Sequence, residues 1–161
     1  MYVIDANVFI DAKNRYYAFD IAPGFWDGLD GLLTTGRACS IEAVYDELVA
    51  GNDALSPWAR NHRGYFKPVD QQVVRQFRPL SNWATSQRFT QAALNDFTTT
   101  TADYLLVAFA AAHGCTVVTH ERPDPNSRRR VKIPDACNAL GVPWTDPWTM
   151  LRDSGITLTL S

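Results

Sequence analysis

Thr101-Ala102-Asp103-Tyr104-Leu105-Leu106-Val107-Ala108-Phe109-Ala110-Ala111-Ala112-His113-Gly114-Cys115-Thr116-Val117-Val118-Thr119 reads as one complete helix-to-strand unit. Thr101 suits an N-cap, and the run from Ala102 to His113 is apolar enough for a buried helix. Gly114 suits the left-handed position that closes such a helix. Cys115 to Thr119 is short, apolar and rich in β-branched residues, as expected of a strand buried on both faces. Strands buried on both faces belong to parallel sheets sandwiched between helices.

Working outward, the same alternation recurs. Tyr2-Val3-Ile4 is a first buried strand that runs into the polar turn Asp5-Ala6-Asn7, with Asn7 placed to cap a short helix over Val8-Phe9-Ile10. Pro23 to Leu33 carries apolar residues at helical spacing, with Gly36 beyond its end. Arg37 to Ser40 is a second short strand, followed by a helix from Ile41 to Val49 closed by Gly51. Residues 53–97 hold several helices joined by loops, with Pro57 in a first turn and breaks expected at Pro68 and Pro79. His120 to Arg130 is a polar, breaker-rich loop. After it come a short strand over Val131-Lys132-Ile133, a helix over Pro134 to Leu140 ended by Gly141, a last strand at Val142-Pro143-Trp144, and a helix over Pro147 to Asp153. Strands alternating with helices predict an α/β fold, a central parallel sheet of four or five short strands with helices on both faces.

The bulk properties agree with one domain over residues 1–161, with 46% hydrophobic and 20% charged residues. There is no apolar run of membrane-spanning length and no basic leader before the apolar start, so the expected location is cytoplasmic, without a membrane partner. Cys39, Cys115 and Cys137 are odd in number, widely spaced and lack zinc-ligand spacing, which makes them small hydrophobes in a reducing compartment. The net charge of −2 argues mildly against a nucleic-acid binder. Against this stands the dense basic run Arg128-Arg129-Arg130 with Lys132, which reads either as a solubilising loop or as a phosphate-gripping one. Arg60, Arg63 and Lys67 are candidates to extend it.

In a parallel sheet the site lies outside the carboxyl ends of the strands. Asp5 ends the first strand and Glu121 lies just past the third, so both fall at that edge. Asp103 opens the helix that feeds the third strand, and a helix antiparallel to its strand begins near the same edge. Glu47 lies within the helix after the second strand and reaches the edge if that helix packs across it; Glu42 and Asp46 compete with it on the same helix. Carboxylates held close repel one another unless a cation neutralises them. A hard divalent ion, Mg²⁺ or Mn²⁺, prefers oxygen ligands, activates water and stabilises charge on phosphate oxygens. The absence of a nearby catalytic Cys or Ser/His pair favours this chemistry over covalent catalysis.

The four acids stand in stretches that resemble the PIN-domain nucleases, and specifically the VapC-like toxins of toxin–antitoxin pairs. The stretches are Val3-Ile4-Asp5-Ala6-Asn7, Glu42-Ala43-Val44-Tyr45-Asp46-Glu47-Leu48, Ala102-Asp103-Tyr104-Leu105-Leu106 and Val117-Val118-Thr119-His120-Glu121. The resemblance covers residues 1 to about 145 in motif order. It departs from the family at Glu121, where Asp is usual. It implies a three-layer α/β/α fold and a Mg²⁺- or Mn²⁺-dependent endoribonuclease with Asp5, Glu47, Asp103 and Glu121 as catalytic metal ligands. It further implies an RNA substrate, a homodimer and a cognate antitoxin that blocks the site.

Around these acids, Asn7 is expected both to cap its helix and to hold a water or an acid near the metal. Thr119 and Ser40 stand where they would hydrogen-bond Asp5. Asp135 is a further candidate acid, although Pro-Asp at a helix start is common for capping reasons alone. His120 is a candidate general base, although loop histidines are more often plain polar surface. The main rival is a catalytically inactive PIN-like module that binds RNA or protein. A phosphatase or DNA nuclease on the same scaffold is a second.

Overall fold

A computed structural model describes residues 1–160. Five strands form one sheet: β1 (Tyr2–Ile4), β2 (Ala38–Ile41), β3 (Phe66–Lys67), β4 (Thr116–Val118) and β5 (Trp144–Thr145). Their order is β3-β2-β1-β4-β5, and every neighbouring pair is parallel. Val3 pairs with Cys39 on one side and Val117 on the other. Val3, Ile4, Cys39, Val117 and Val118 are all essentially inaccessible, as a centre strand covered on both faces requires.

Ten α-helices accompany the sheet among the described residues: α1 (Ala6–Asp11), α2 (Pro23–Thr34), α3 (Glu42–Ala50), α4 (Leu55–Asn61), α5 (Gln71–Val74), α6 (Phe77–Ser86), α7 (Gln91–Asn95), α8 (Ala102–His113), α9 (Ile133–Leu140) and α10 (Pro147–Asp153). A π-helical turn, Ala12–Tyr16, extends α1. The sheet flanked by helices is a three-layer α/β/α arrangement. The stretch from Ala102 to Thr119 folds as its sequence reads: α8 buries every side chain from Tyr104 to Ala110, and Gly114 ends it in the left-handed conformation (φ 67°, ψ 36°). No helix is long and apolar enough to cross a membrane among the described residues. The three cysteines are buried and free.

Several expectations are corrected. Asp5, not Asn7, occupies the N-cap position of α1, because its backbone is extended (φ −72°, ψ 150°) and the helix starts at Ala6. Val131-Lys132-Ile133 lies outside the sheet; its alternating burial is strand-like, but Lys132 caps α9, whose Ile133 and Pro134 form the first turn. Pro79 does not break the chain but sits in the first turn of α6, where its missing N–H costs nothing. The last strand falls at Trp144–Thr145, two positions later than the apolar Val142 suggests. The two-residue β3 is too short to leave a periodic signal.

Candidate active site

The chain leaves β1 toward β2 and β3 on one side, then returns to place β4 and β5 on the other. The carboxyl ends of β1 and β4 therefore flank the topological switch point, where parallel sheets open a crevice. Asp5 follows β1 directly and its amide donates to the Val118 carbonyl (3.0 Å). Thr119, His120 and Glu121 follow β4.

Asp5 is 4% exposed. Its Oδ2 accepts a hydrogen bond from the Thr119 hydroxyl at 2.8 Å. The Thr119 Oγ1 in turn accepts from the Glu121 amide at 3.1 Å, so one threonine fixes both acids relative to the sheet. Burial raises the Asp5 carboxyl to about 8, reinforced by the charges of Asp103 and Glu121 and opposed by the Thr119 and Ala6 hydrogen bonds. Thr119 thus behaves as anticipated. Ser40 does not: its hydroxyl donates to the Ile4 carbonyl (2.6 Å) and ties β2 to β1 beneath the site.

Burial also raises Glu121, helped by the charge of Asp103 and opposed by Arg130, Lys132 and the Ile133 amide. Both Glu121 carboxylate oxygens are buried, and neither of the groups beside them, the Ile133 amide and Arg130 Nη2 at 3.3 Å from Oε1, reaches the geometry of an aligned hydrogen bond. Asp103, in the first turn of α8, is raised by burial and opposed by Arg130. Glu47 sits at the rim; although much of its area meets solvent, local desolvation and then the charge of Asp103 raise its carboxyl. The four acids named from the sequence therefore sense one another through Asp103. The thiol of Cys137 lies under them, raised to about 12 by burial and then by Glu121 and Asp5. Nothing in the sequence around Cys137 signalled that position.

Asn7 Oδ1 accepts from the His120 amide at 3.4 Å, holding α1 against the turn after β4. Asp135 accepts from the Asp124 amide at 2.9 Å and braces the loop rather than joining the acids. The His120 ring packs with Tyr16 and Trp148 at centroid distances of 5.5 and 5.1 Å. Desolvation lowers its pKa against the pull of Asp11 and Asp146. Arg128, Arg129 and Arg130 are exposed. Arg129 and Arg130 line a cleft of about 360 Å³ together with Asp103 and Phe97. Lys132 faces Glu121 closely enough to lower its carboxyl. Arg63 instead stacks over Tyr45 at 4.8 Å, and Lys67 donates to the Gly64 carbonyl at 3.3 Å.

The donor set fits a hard divalent ion. It consists of carboxylate oxygens, two of them orphaned and buried on Glu121, and a buried Asp5 whose carboxyl is raised to about 8 by burial and then by the charges of Asp103 and Glu121. Among the described residues no three acidic, His or Cys side chains stand close enough to enclose an ion by themselves. Mg²⁺ does not require that, since it retains waters and takes only one or two carboxylates directly.

The sequence matches a family described as Domain of unknown function (DUF4411) over residues 2–158. The chain belongs to the DUF4411 family. No curated protein matches the sequence. Among solved structures, FitAcB from Neisseria gonorrhoeae is similar to this DUF4411 chain at 20% identity and a TM-score of 0.55, covering 92% of this chain and 99% of that one. FitAB bound to an IR36 DNA fragment gives 17% identity and a TM-score of 0.55, with coverage of 92% and 96%. VapBC2 from Rickettsia felis, bound to a DNA fragment from its promoter, gives 11% identity and a TM-score of 0.51, with coverage of 90% and 97%. At these identities the likeness is one of fold, and the fold is the PIN-like α/β/α arrangement that the motifs imply.

Proposed function

We propose that this DUF4411 protein is a Mg²⁺- or Mn²⁺-dependent endoribonuclease and the toxin of a toxin–antitoxin pair. The observation that carries the proposal is the carboxylate cluster at the switch point, with Asp5 buried and tied with Glu121 to one threonine, and both Glu121 oxygens buried without an aligned hydrogen bond. Asp5, Asp103 and Glu121, with Glu47 at the rim, are the residues that would hold the metal. When bound there, such an ion lowers the pKa of a water and offsets the charge that grows on a phosphate in hydrolysis.

The chain's own groups supply the rest. Thr119 orients Asp5 and Glu121 from one hydroxyl. Burial of Asp5 keeps bulk water from competing for its oxygens. Arg130, beside Glu121, and Arg129 bring positive charge to the mouth of the cluster, where an RNA phosphate would otherwise meet only acids. The toxin assignment rests on the VapC-like motifs together with the fold shared with VapBC2. It brings with it a cytoplasmic homodimer restrained by a cognate antitoxin.

The inactive binding module remains as a second reading because of one contact. Arg130 places a protein cation 3.3 Å from Glu121, as a vestigial site would. Purified protein incubated with labelled RNAs and Mn²⁺, Mg²⁺ or EDTA separates the two. Metal-dependent cleavage is expected, with a loss of about two orders of magnitude or more in Asp5→Asn and in Asp103→Asn. RNA that stays intact with wild type and variants alike, while still being bound, would favour the module.

A further inference from the structure

The loop after β4 and the C-terminal half of α6 enclose a second concavity of about 580 Å³. That lies within the ~300–1,000 Å³ of sites for small organic ligands. Trp83, Arg88 and Phe89 form one wall; Arg128 and Asn138 contribute from the loop and α9. The half-buried rings of Trp83 and Phe89 meet edge to face, with centroids 5.8 Å apart and planes at 70°. Both rings line the cavity and are partly exposed, the kind of aromatic surface on which a planar base stacks.

The polar groups suit a nucleotide. Arg88 and Arg128 are exposed, and among the described residues neither has an ion-pair partner. Asn138 accepts the Trp144 indole N–H through Oδ1 (3.0 Å), which leaves its NH₂ group to donate. Two acids also line the cleft. Asp135 spends one oxygen on the Asp124 amide, and the exposed Asp124 carboxylate repels phosphate while accepting from base amino groups. Phosphates are thereby left to the arginines and bases to the rings.

The cleft and the acid cluster are joined by the arginine run: Arg128 lines the first, and Arg129 and Arg130 line the smaller cleft that holds Asp103. Arg128 begins the run that ends at Arg130, beside Glu121. The two arginines are two residues apart, at most about 7 Å of extended chain. A single strand that follows this run leads from the cleft toward the acids.

We propose that the cleft is a base-stacking subsite that takes an unpaired nucleotide of single-stranded RNA adjoining the bond cleaved at the acid cluster. The substrate class rests on the ribonuclease reading; the subsite itself rests on the cleft. Bases in a duplex are stacked on one another and cannot enter, so the subsite selects unpaired RNA.

The test is fluorescence anisotropy in EDTA, where no cleavage competes, with a short labelled single-stranded RNA of mixed sequence and its duplex. Wild type is expected to prefer the single strand. Trp83→Leu should weaken that binding about five- to hundred-fold, as loss of one base–aromatic stack does. Arg88→Ala should weaken it several-fold and reduce its salt dependence. Arg88 is exposed, so its variant keeps the fold, which circular dichroism checks, even if Trp83→Leu does not. Equal binding of duplex, or wild-type affinity in Arg88→Ala and in a folded Trp83→Leu, would overturn the subsite. If those variants also cleave RNA like wild type, the ribonuclease reading survives that failure. Wild type that neither binds nor cleaves RNA would overturn both. Variants that lose a bound protein partner but keep RNA would make the cleft a protein-docking site and likewise overturn the proposal.

Discussion

Asp5 links the local chemistry of this chain to its stability. Its folded pKa of about 8 stands well above the unfolded value of 3.8. A carboxyl that holds its proton more tightly when folded stabilises the fold fully below the unfolded pKa, and that contribution is lost as pH rises through the folded pKa. Asp103, Glu121 and Glu47 are shifted in the same direction. In EDTA the melting temperature should therefore fall as pH is raised from about 4 to about 9. Asp5→Asn, which removes the ionisation but keeps the shape, should melt near wild type at the acid end and above it at the alkaline end. A wild-type melting temperature that is flat or rises across that range would mean that Asp5 ionises normally. At this scale the sequence is informative about identity and less so about contacts. Thr119 lies one residue from the end of a strand that neighbours Asp5, so their hydrogen bond follows from topology. Ser40 lies on the other neighbour, yet its hydroxyl meets the Ile4 carbonyl, a choice set by backbone pleat that residue type does not reveal.

The elements are most legible where length and a closing glycine act together. The α8 run ends at Gly114 because a left-handed residue is needed to turn the chain into β4, and the bounds read from sequence coincide with the structure. Where a strand is only two residues long, as β3 is, or extended chain lies outside the sheet, as Val131 to Ile133 does, pattern alone cannot find or exclude it. The role of Gly114 can be isolated. A Cβ built on it meets nothing within 4 Å, so a substitution costs backbone conformation alone (φ +67°). Gly114→Ala should destabilise the fold by about 1–2 kcal/mol in urea denaturation. Gly31→Ala, within α2 and equally open, should stabilise it by about 0.4–1 kcal/mol. If both substitutions change stability alike, the left-handed turn is not what Gly114 provides.

At the scale of the molecule, a net charge of −2 conceals a division of labour. Acids converge at the switch point, and Arg128, Arg129, Arg130 and Lys132 stand in the loop and cap beside them. The sheet order explains why residues 5, 103 and 121 meet although they are remote in sequence. β1 and β4 are neighbours, and α8 runs antiparallel to the strand it feeds, so its first turn returns to the carboxyl edge. Part of this is legible in the sequence, because the placement of Asp5, Asp103 and Glu121 depends only on parallel strands and helix direction. The ion pair of Arg130 with Glu121 and the bracing of the loop by Asp135 are not, because they depend on side-chain geometry across a breaker-rich loop. Under the proposed function this cluster holds a hard divalent ion. Calorimetric titration of Mn²⁺ into wild type, Asp5→Asn and Asp103→Asn measures that binding. Saturable binding to wild type, weakened at least about tenfold in each variant, is the expected result; no binding to wild type, or equal binding by all three proteins, would contradict it.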